Sequence, residues 1–337
     1  MGSINLQNQG ISTRTRQLFE QALVWDDHSC MSLRADDESF LPQLERYTRA
    51  GVDIVALNVG FDAMPWQNAI RVLAHFRRWL RQHSNRYTLI ERTDDIERAR
   101  REGKLGVMFD LEGGCALDGQ LSMVELYYDL GVRWMLFAYN RNNALGGGCQ
   151  DDDSGLTPFG RQVLQEMARV GMVTCCTHIG HRTAMEVMEH SSNPVIFSHS
   201  NPKGLHDHPR NISDDAIRAC ARSGGVIAIN GIGDFLGNND ARTELIVQHI
   251  DYVGQLVGTN HVGLGLDYVF DQQELEDYLR LHPELFPPQQ YQGGMRMAQP
   301  EQIPEVAEGL LRLGYTEEDL KKILGTNHLR VAKKVWK

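Results

Sequence analysis

Three histidines and two carboxylates stand at or just beyond short apolar runs in five separate parts of the chain: His28, Glu112, His178, His199 and Asp267. Tyr139, Asn140 and Asn230 follow other runs in the same way. Taken singly these residues say little. A lone histidine after a strand is more often a loop residue or a satisfied core group, and the Gly-Gly after Glu112 is by itself a turn signal. Taken jointly, imidazoles with a carboxylate form the donor set that zinc takes, and a second carboxylate is a candidate proton carrier. The stretch VWDDHSC adds a question, because Cys30 stands two residues after His28, where a His-x-Asp start to a binuclear site would have aspartate.

The elements that must bring these residues together are legible as a regular alternation. Apolar runs lie at Ala22 to Trp25, Val52 to Val59, Leu105 to Leu111, Arg133 to Ala138, Met172 to Thr177, Pro194 to Phe197, Gly225 to Ile229 and Val262 to Leu266. Several are near-continuously apolar, as parallel strands covered on both faces are. Between them lie helical patterns such as AIRVLAHFRRWLRQH, PFGRQVLQEMARVG and LIVQHIDYVGQLVG, several of them stopped by glycine. Eight strands alternating with helices predict a single-domain α/β fold, a (β/α)8 TIM-type barrel. Residues 1–21 read as a helical lead-in and residues 22–337 as the barrel with a C-terminal helical extension. In that extension TEEDLKKILGTNHLRVAKKVW reads as one closing helix capped by Thr316. Asp271 to Pro304 reads as an excursion over one barrel face. The C-terminal strand ends form the active-site face of such a barrel, so the residue after each run is the informative one.

Composition narrows the partner class. A formal charge of -10 over 337 residues argues against nucleic acid or an anionic membrane surface and for a small-molecule partner. No stretch approaches the apolar length that spans a bilayer, and the first residues carry no export pattern, so a cytoplasmic protein is the expectation. The six cysteines form no CxxC pair and suggest reduced thiols, with Cys175 and Cys176 as core filling. His181 is expected to cap or decorate the following helix, His206 and His208 to be exposed loop residues, and QDDDSG at 150–155 to be a solvated loop.

From about residue 22 onward the sequence resembles the renal, or membrane, dipeptidases, zinc peptidases among the amidohydrolase-like barrels. The resemblance rests on DDHSC, DLEGG, on CTHIG and VIFSHS, and on RNISDD, VGLGLD and GYTEEDLKKILGTNHLRV. It implies a metal held by His28 and the residue at 30, a second held by His178 and His199, and Glu112 bridging them. It further implies that Asp267 moves the proton of the attacking water, that Arg210 grips a substrate carboxylate, and that the chain pairs as a homodimer.

The departures from the family pattern matter as much. Cys30 replaces its aspartate, so either the first site is His-Cys-Glu or that site is weak and a single metal sits with His178, His199 and Glu112. One or two zinc ions per chain are expected, with two preferred. Tyr139 stands where animal members have a substrate-contacting histidine, and Ile232 lies near the place of a carboxylate-binding tyrosine. Tyr139 and Asn140 are expected on the substrate side. The expected activity is zinc-dependent hydrolysis of a small amide, a dipeptide or a compound like one. The alternatives are a hydrolase of a non-peptide amide or modified amino acid, and a catalytically silent barrel that binds a ligand.

Overall fold

The computed structural model describes residues 10–287 and 294–337. Among the described residues ten parallel strands carry the fold: β1 (Trp25–Cys30), β2 (Ile54–Phe61), β3 (Tyr87–Leu89), β4 (Leu105–Glu112), β5 (Val132–Leu136), β6 (Val173–Cys175), β7 (Val195–Phe197), β8 (Val226–Ile229), β9 (Val262–Leu264) and β10 (Tyr268–Val269). Eight of them, all but β3 and β10, pair in chain order, and β9 returns to β1 at Asp26 and Leu264 to close the barrel. The expected TIM barrel is therefore the observed one. The two added strands are short. β3 lies along the N-terminal half of β4, whose C-terminal half pairs with β5. β10 continues the line of β9 beside β1 after a break at residues 265–267.

The burial pattern explains why apolar runs became strands. β2 and β4 are buried along nearly their whole length, so neither face could tolerate the polar half of an alternating pattern. One packed cluster includes Trp25, Ile54, Met108, Trp134 and Ile196, and a second fills the space between strands and helices. The helices run on local signals: Thr157 caps Pro158–Val170 by accepting from the Gly160 amide, and Gly171 ends it at φ 95°.

Three features depart from the sequence reading. The helix Thr93–Glu102, with few apolar residues, was not among the expected patterns. The excursion contains a helix, Gln272–Leu281, and its Leu285 carbonyl and Phe286 ring lie against Asn140 and Tyr139, so it does cross the mouth; residues 288–293 of it lie outside the described residues. The closing segment is broken: Glu317–Lys321, a π turn at Lys322–Thr326, then Asn327–Val335. Packing gives the reason. A Cβ on Gly325 would sit 2.5 Å from the Leu23 carbonyl, and Asn327 Nδ2 donates to the carbonyls of Thr259 and Val262, so the turn widens where it meets the entry to β1. Thr316 does cap the segment, in a reciprocal box with Asp319. The lead-in holds the helix Thr13–Gln21, and residues 1–9 lie outside the described part. No helix among the described residues is long and apolar enough to cross a membrane.

Candidate active site

Backbone irregularities, rather than regular strand alternation, aim the side chains of the mouth. In β1, Asp26 pairs with Val55 and Ser29 with Leu57, so Asp27 and His28 together oppose Ala56 alone. His28 and Cys30 share a face by ordinary alternation, and the β-bulge turns that face to the side of Trp134, in the same cluster as Trp25. Asn140, His178 and Asp267 each sit in the left-handed region, at φ 62°, 66° and 59°. Such positions cost about 1–3 kcal/mol for a residue with a side chain and cluster where function holds them in place.

The result is a tight cluster. Glu112 Oε1 lies 3.5 Å from Nε2 of His28, 3.5 Å from Nε2 of His178 and 3.2 Å from Nε2 of His199. The last two nitrogens are 3.0 Å apart. On the other side of His28, its Nε2 is 3.4 Å from Asp267 Oδ1 and 3.5 Å from Cys30 Sγ. His28, Glu112 and His199, and separately His28, Cys30 and Asp267, can each offer ligand atoms to one cation.

Each imidazole is held from behind. His28 Nδ1 donates to Asp110 Oδ2 at 3.2 Å, and Asn58 Nδ2 holds the other Asp110 oxygen at 3.1 Å. His178 Nδ1 donates to Asn140 Oδ1 at 2.7 Å, and Ser198 Oγ lies 2.9 Å from His199 Nδ1. A donating Nδ1 leaves the Nε2 lone pair of its ring facing inward. Asp267 is steadied by Asn230, whose Nδ2 donates to Oδ2 at 2.9 Å and leaves Oδ1 facing the cluster.

The electrostatics fit a cation. Glu112 Oε1 is buried with no hydrogen-bond donor, and burial pushes that carboxyl up to about 8 despite the pull of His28. Burial, with Arg210 and the neighbouring imidazoles, holds His178 and His199 well below the ordinary histidine range, so they are neutral and available as ligands. Burial opposes the charge of His28 too, but Asp110 and Glu112 outweigh it and hold that ring well above the ordinary range. A field that favours a proton there favours a metal there, and three Nε2 atoms around an orphaned carboxylate oxygen are the donors zinc prefers.

The remaining expected residues are also at the mouth, with differences. Arg210 is buried and its guanidinium donates to His178 Nε2 at 3.0 Å. Tyr139 stacks on His178 with ring centroids 4.0 Å apart and touches Phe61 and Phe286. Asn140 is fully buried and spends both ends of its amide inside the protein, on His178 and the Leu285 carbonyl, so it stands behind a histidine instead of facing substrate. Ile232 is buried. His181 opens the helix His181–His190 and pairs with Asp215 at the surface. His208, expected to be exposed, is buried against Phe235, and its Nδ1 accepts from the Arg210 amide. The 150–155 loop is tied down by its aspartates, Asp151 to Arg141 and Asp153 to Thr183.

Asp110, Asn58 and Ser198 were not singled out from the sequence. Asp110 had a signal available, since it lies two residues before Glu112 in one strand and so shares its face. Asp62 had none. It cross-links three loops by accepting from the amides of Cys115 and Tyr139 and from Asn143 Nδ2.

A closed barrel with two convergent donor sets at its mouth defines the class as a (β/α)8 barrel with a candidate metal centre. Residues 45–286 match the model of the membrane dipeptidases, peptidase family M19, and the chain belongs to that family. His28 and Cys30 precede the matched span. The chain is 30% identical to the dipeptidase tcpJ of Claviceps purpurea over 77% of its own length and 58% of that protein. It is 31% identical to an uncharacterised dipeptidase of Schizosaccharomyces pombe, over 77% of the chain and 60% of that protein. It thus spans about three fifths of these two relatives. A crystal structure of an amidohydrolase from Pseudomonas aeruginosa superposes with a TM-score of 0.87 at 27% identity, over 96% of this chain and 99% of that one. A metallopeptidase from Rhodobacter sphaeroides, bound to a phosphinate mimic of L-Ala-D-Ala, shares the fold with a TM-score of 0.77 at 18% identity, over 94% and 99%.

Proposed function

We propose that the chain is a zinc-dependent hydrolase that cuts the amide bond of a dipeptide or a dipeptide-like compound. The observation that carries this reading is Glu112 Oε1, buried without a donor and within 3.2–3.5 Å of three imidazole nitrogens. In this reading His28 and Cys30 hold one metal, His178 and His199 a second, and Glu112 lies between them. Zinc bound in such a site polarises the scissile carbonyl and lowers the pKa of its water toward neutrality. The chain's own residues do the rest. Asp267 accepts the proton of the attacking water at Oδ1 and delivers it to the nitrogen of the departing amine. Arg210 would bind a substrate carboxylate through two parallel N–H donors, and His178 would hold a metal through the Nε2 to which Arg210 now donates. Asp110 and Asn140 keep His28 and His178 in the tautomer and orientation a ligand needs. The rings of Tyr139, Phe61 and Phe286 offer an apolar wall beside His178.

Ile232, buried and without a donor where a carboxylate-binding tyrosine would help, favours a second reading: a hydrolase of a non-peptide amide or a modified amino acid. The silent-barrel reading has nothing comparable in its favour. The test is to assay purified protein on a panel of dipeptides and N-acyl amino acids before and after chelation. Activity should vanish with the chelator and return with zinc. Full activity in metal-free protein would overturn the reading.

A further inference from the structure

We infer that the two halves of the centre are chemically unequal: Cys30 is a metal-bound thiolate that makes the His28 half a site for thiophilic cations such as zinc, cobalt or cadmium, while the His178 half offers nitrogen and oxygen alone. This rests on the metallohydrolase reading above and deepens it.

Three separations carry the inference. Cys30 Sγ is 3.5 Å from His28 Nε2 and 3.6 Å from Asp267 Oδ1, and those two atoms are 3.4 Å from each other. A tetrahedral zinc with Zn–S of about 2.3 Å and Zn–N and Zn–O of about 2.0–2.2 Å has ligand-to-ligand edges of roughly 3.3–3.7 Å. The Cys30–His28 side, between the two atoms that would bind the cation, falls in that range, and Asp267 Oδ1, 3.6 Å and 3.4 Å from them, stands beside the site as the proton acceptor and not as a ligand. On the opposite face the separations are His178 to His199 at 3.0 Å and Glu112 to each of them at 3.5 Å and 3.2 Å, with no sulfur. The orphaned Glu112 Oε1 lies between the two sets, 3.5 Å from His28 Nε2, and points to a cation independently of the sulfur.

The backbone fixes where the sulfur can go. Cys30 ends β1, pairs with Val269 of β10, and its carbonyl accepts from the Phe270 amide at 3.0 Å. A cysteine bound to a metal is a thiolate, because coordination deprotonates the thiol outright. Thiolate selects soft and borderline cations, whereas carboxylate in its place does not.

The test uses cobalt as a coloured stand-in for zinc. Protein stripped by a chelator is titrated with Co2+ and followed by absorption, with bound metal counted by mass spectrometry. Two equivalents should bind, with a thiolate-to-cobalt charge-transfer band in the near ultraviolet. Cys30→Asp should still bind two equivalents and lose the band. Cys30→Ser should lose the band as well. Cys149→Ser is the control, since Cys149 Sγ lies 3.5 Å from Asn140 Oδ1, behind His178, and the band should survive. Two bound cobalt ions with no charge-transfer band, or a band that persists in Cys30→Asp, would overturn the inference and leave the hydrolase reading standing. No cobalt uptake at all would overturn both.

Discussion

Asp267 and Arg210 divide the work on the substrate, and their substitutions should fail differently. Asp267→Asn removes the proton carrier while leaving an amide of the same size, so kcat should fall roughly 10²-fold or more with metal content retained. An unchanged kcat would remove Asp267 from the chemistry. Arg210→Ala should weaken turnover of substrates with a free carboxylate far more than of their amides, and equal losses for both would contradict the clamp. The residues that face the centre were readable because ligand chemistry restricts them to few types. Those behind them were less so. Asn140 follows the apolar run of β5, which places it at the mouth, but whether it faces a ligand or a neighbouring histidine depends on its left-handed φ, which composition does not encode. Ser198 and Asn58 are common residue types whose roles exist only once the strands are side by side.

Among the elements, seven of the eight barrel strands were legible because burial on both faces demands apolar runs, and the glycine stops marked most helix ends; β1 is the exception, since its sequence WDDHSC is polar and only Trp25 lies in the expected run Ala22 to Trp25. The bulge in β1 was not legible either, since it shifts pairing without changing residue type, and it decides that His28 faces inward. β3 and Thr93–Glu102 escaped for a simpler reason: three residues are too few for a period, and the helix buries only Ile96 and Ala99. Gly113 shows how a loop can be as constrained as a strand. It sits at φ 128°, and a Cβ there would fall 1.9 Å from Asp62 Oδ1, the carboxylate that joins the loops after β4 and β5. Gly113→Ala should therefore cost on the order of 3 kcal/mol, combining backbone strain with a displaced buried carboxylate. Thermal or urea unfolding of the variant checks it, and a loss under about 0.5 kcal/mol, the scale of an ordinary surface change, would contradict it.

At the scale of the whole molecule, acid should destabilise the barrel through a buried histidine that is not among the candidate ligands. His249 donates to the Leu236 carbonyl, and burial holds it down to about 4. It is neutral in the fold, while its unfolded value is about 6.5. Below pH 6.5 the unfolded chain takes up a proton that the fold refuses, so stability falls as pH drops and the loss levels off near pH 4, with an upper limit of about 3 kcal/mol. Melting temperatures from pH 7 to 5 should decline less in His249→Gln than in the unaltered protein; parallel declines would exclude His249 as a cause. Metal binding should act on the whole fold in the opposite sense, stabilising it by mass action as the cation fills a cluster drawn from five barrel strands and the loops that follow them. The most direct test of the central claim is anomalous diffraction at the zinc edge from crystals of protein purified without added metal. The account predicts two peaks at the barrel mouth, one touching Cys30 Sγ and His28 Nε2, the other touching His178 and His199, with Glu112 between them. A map with no peak among these residues would contradict it.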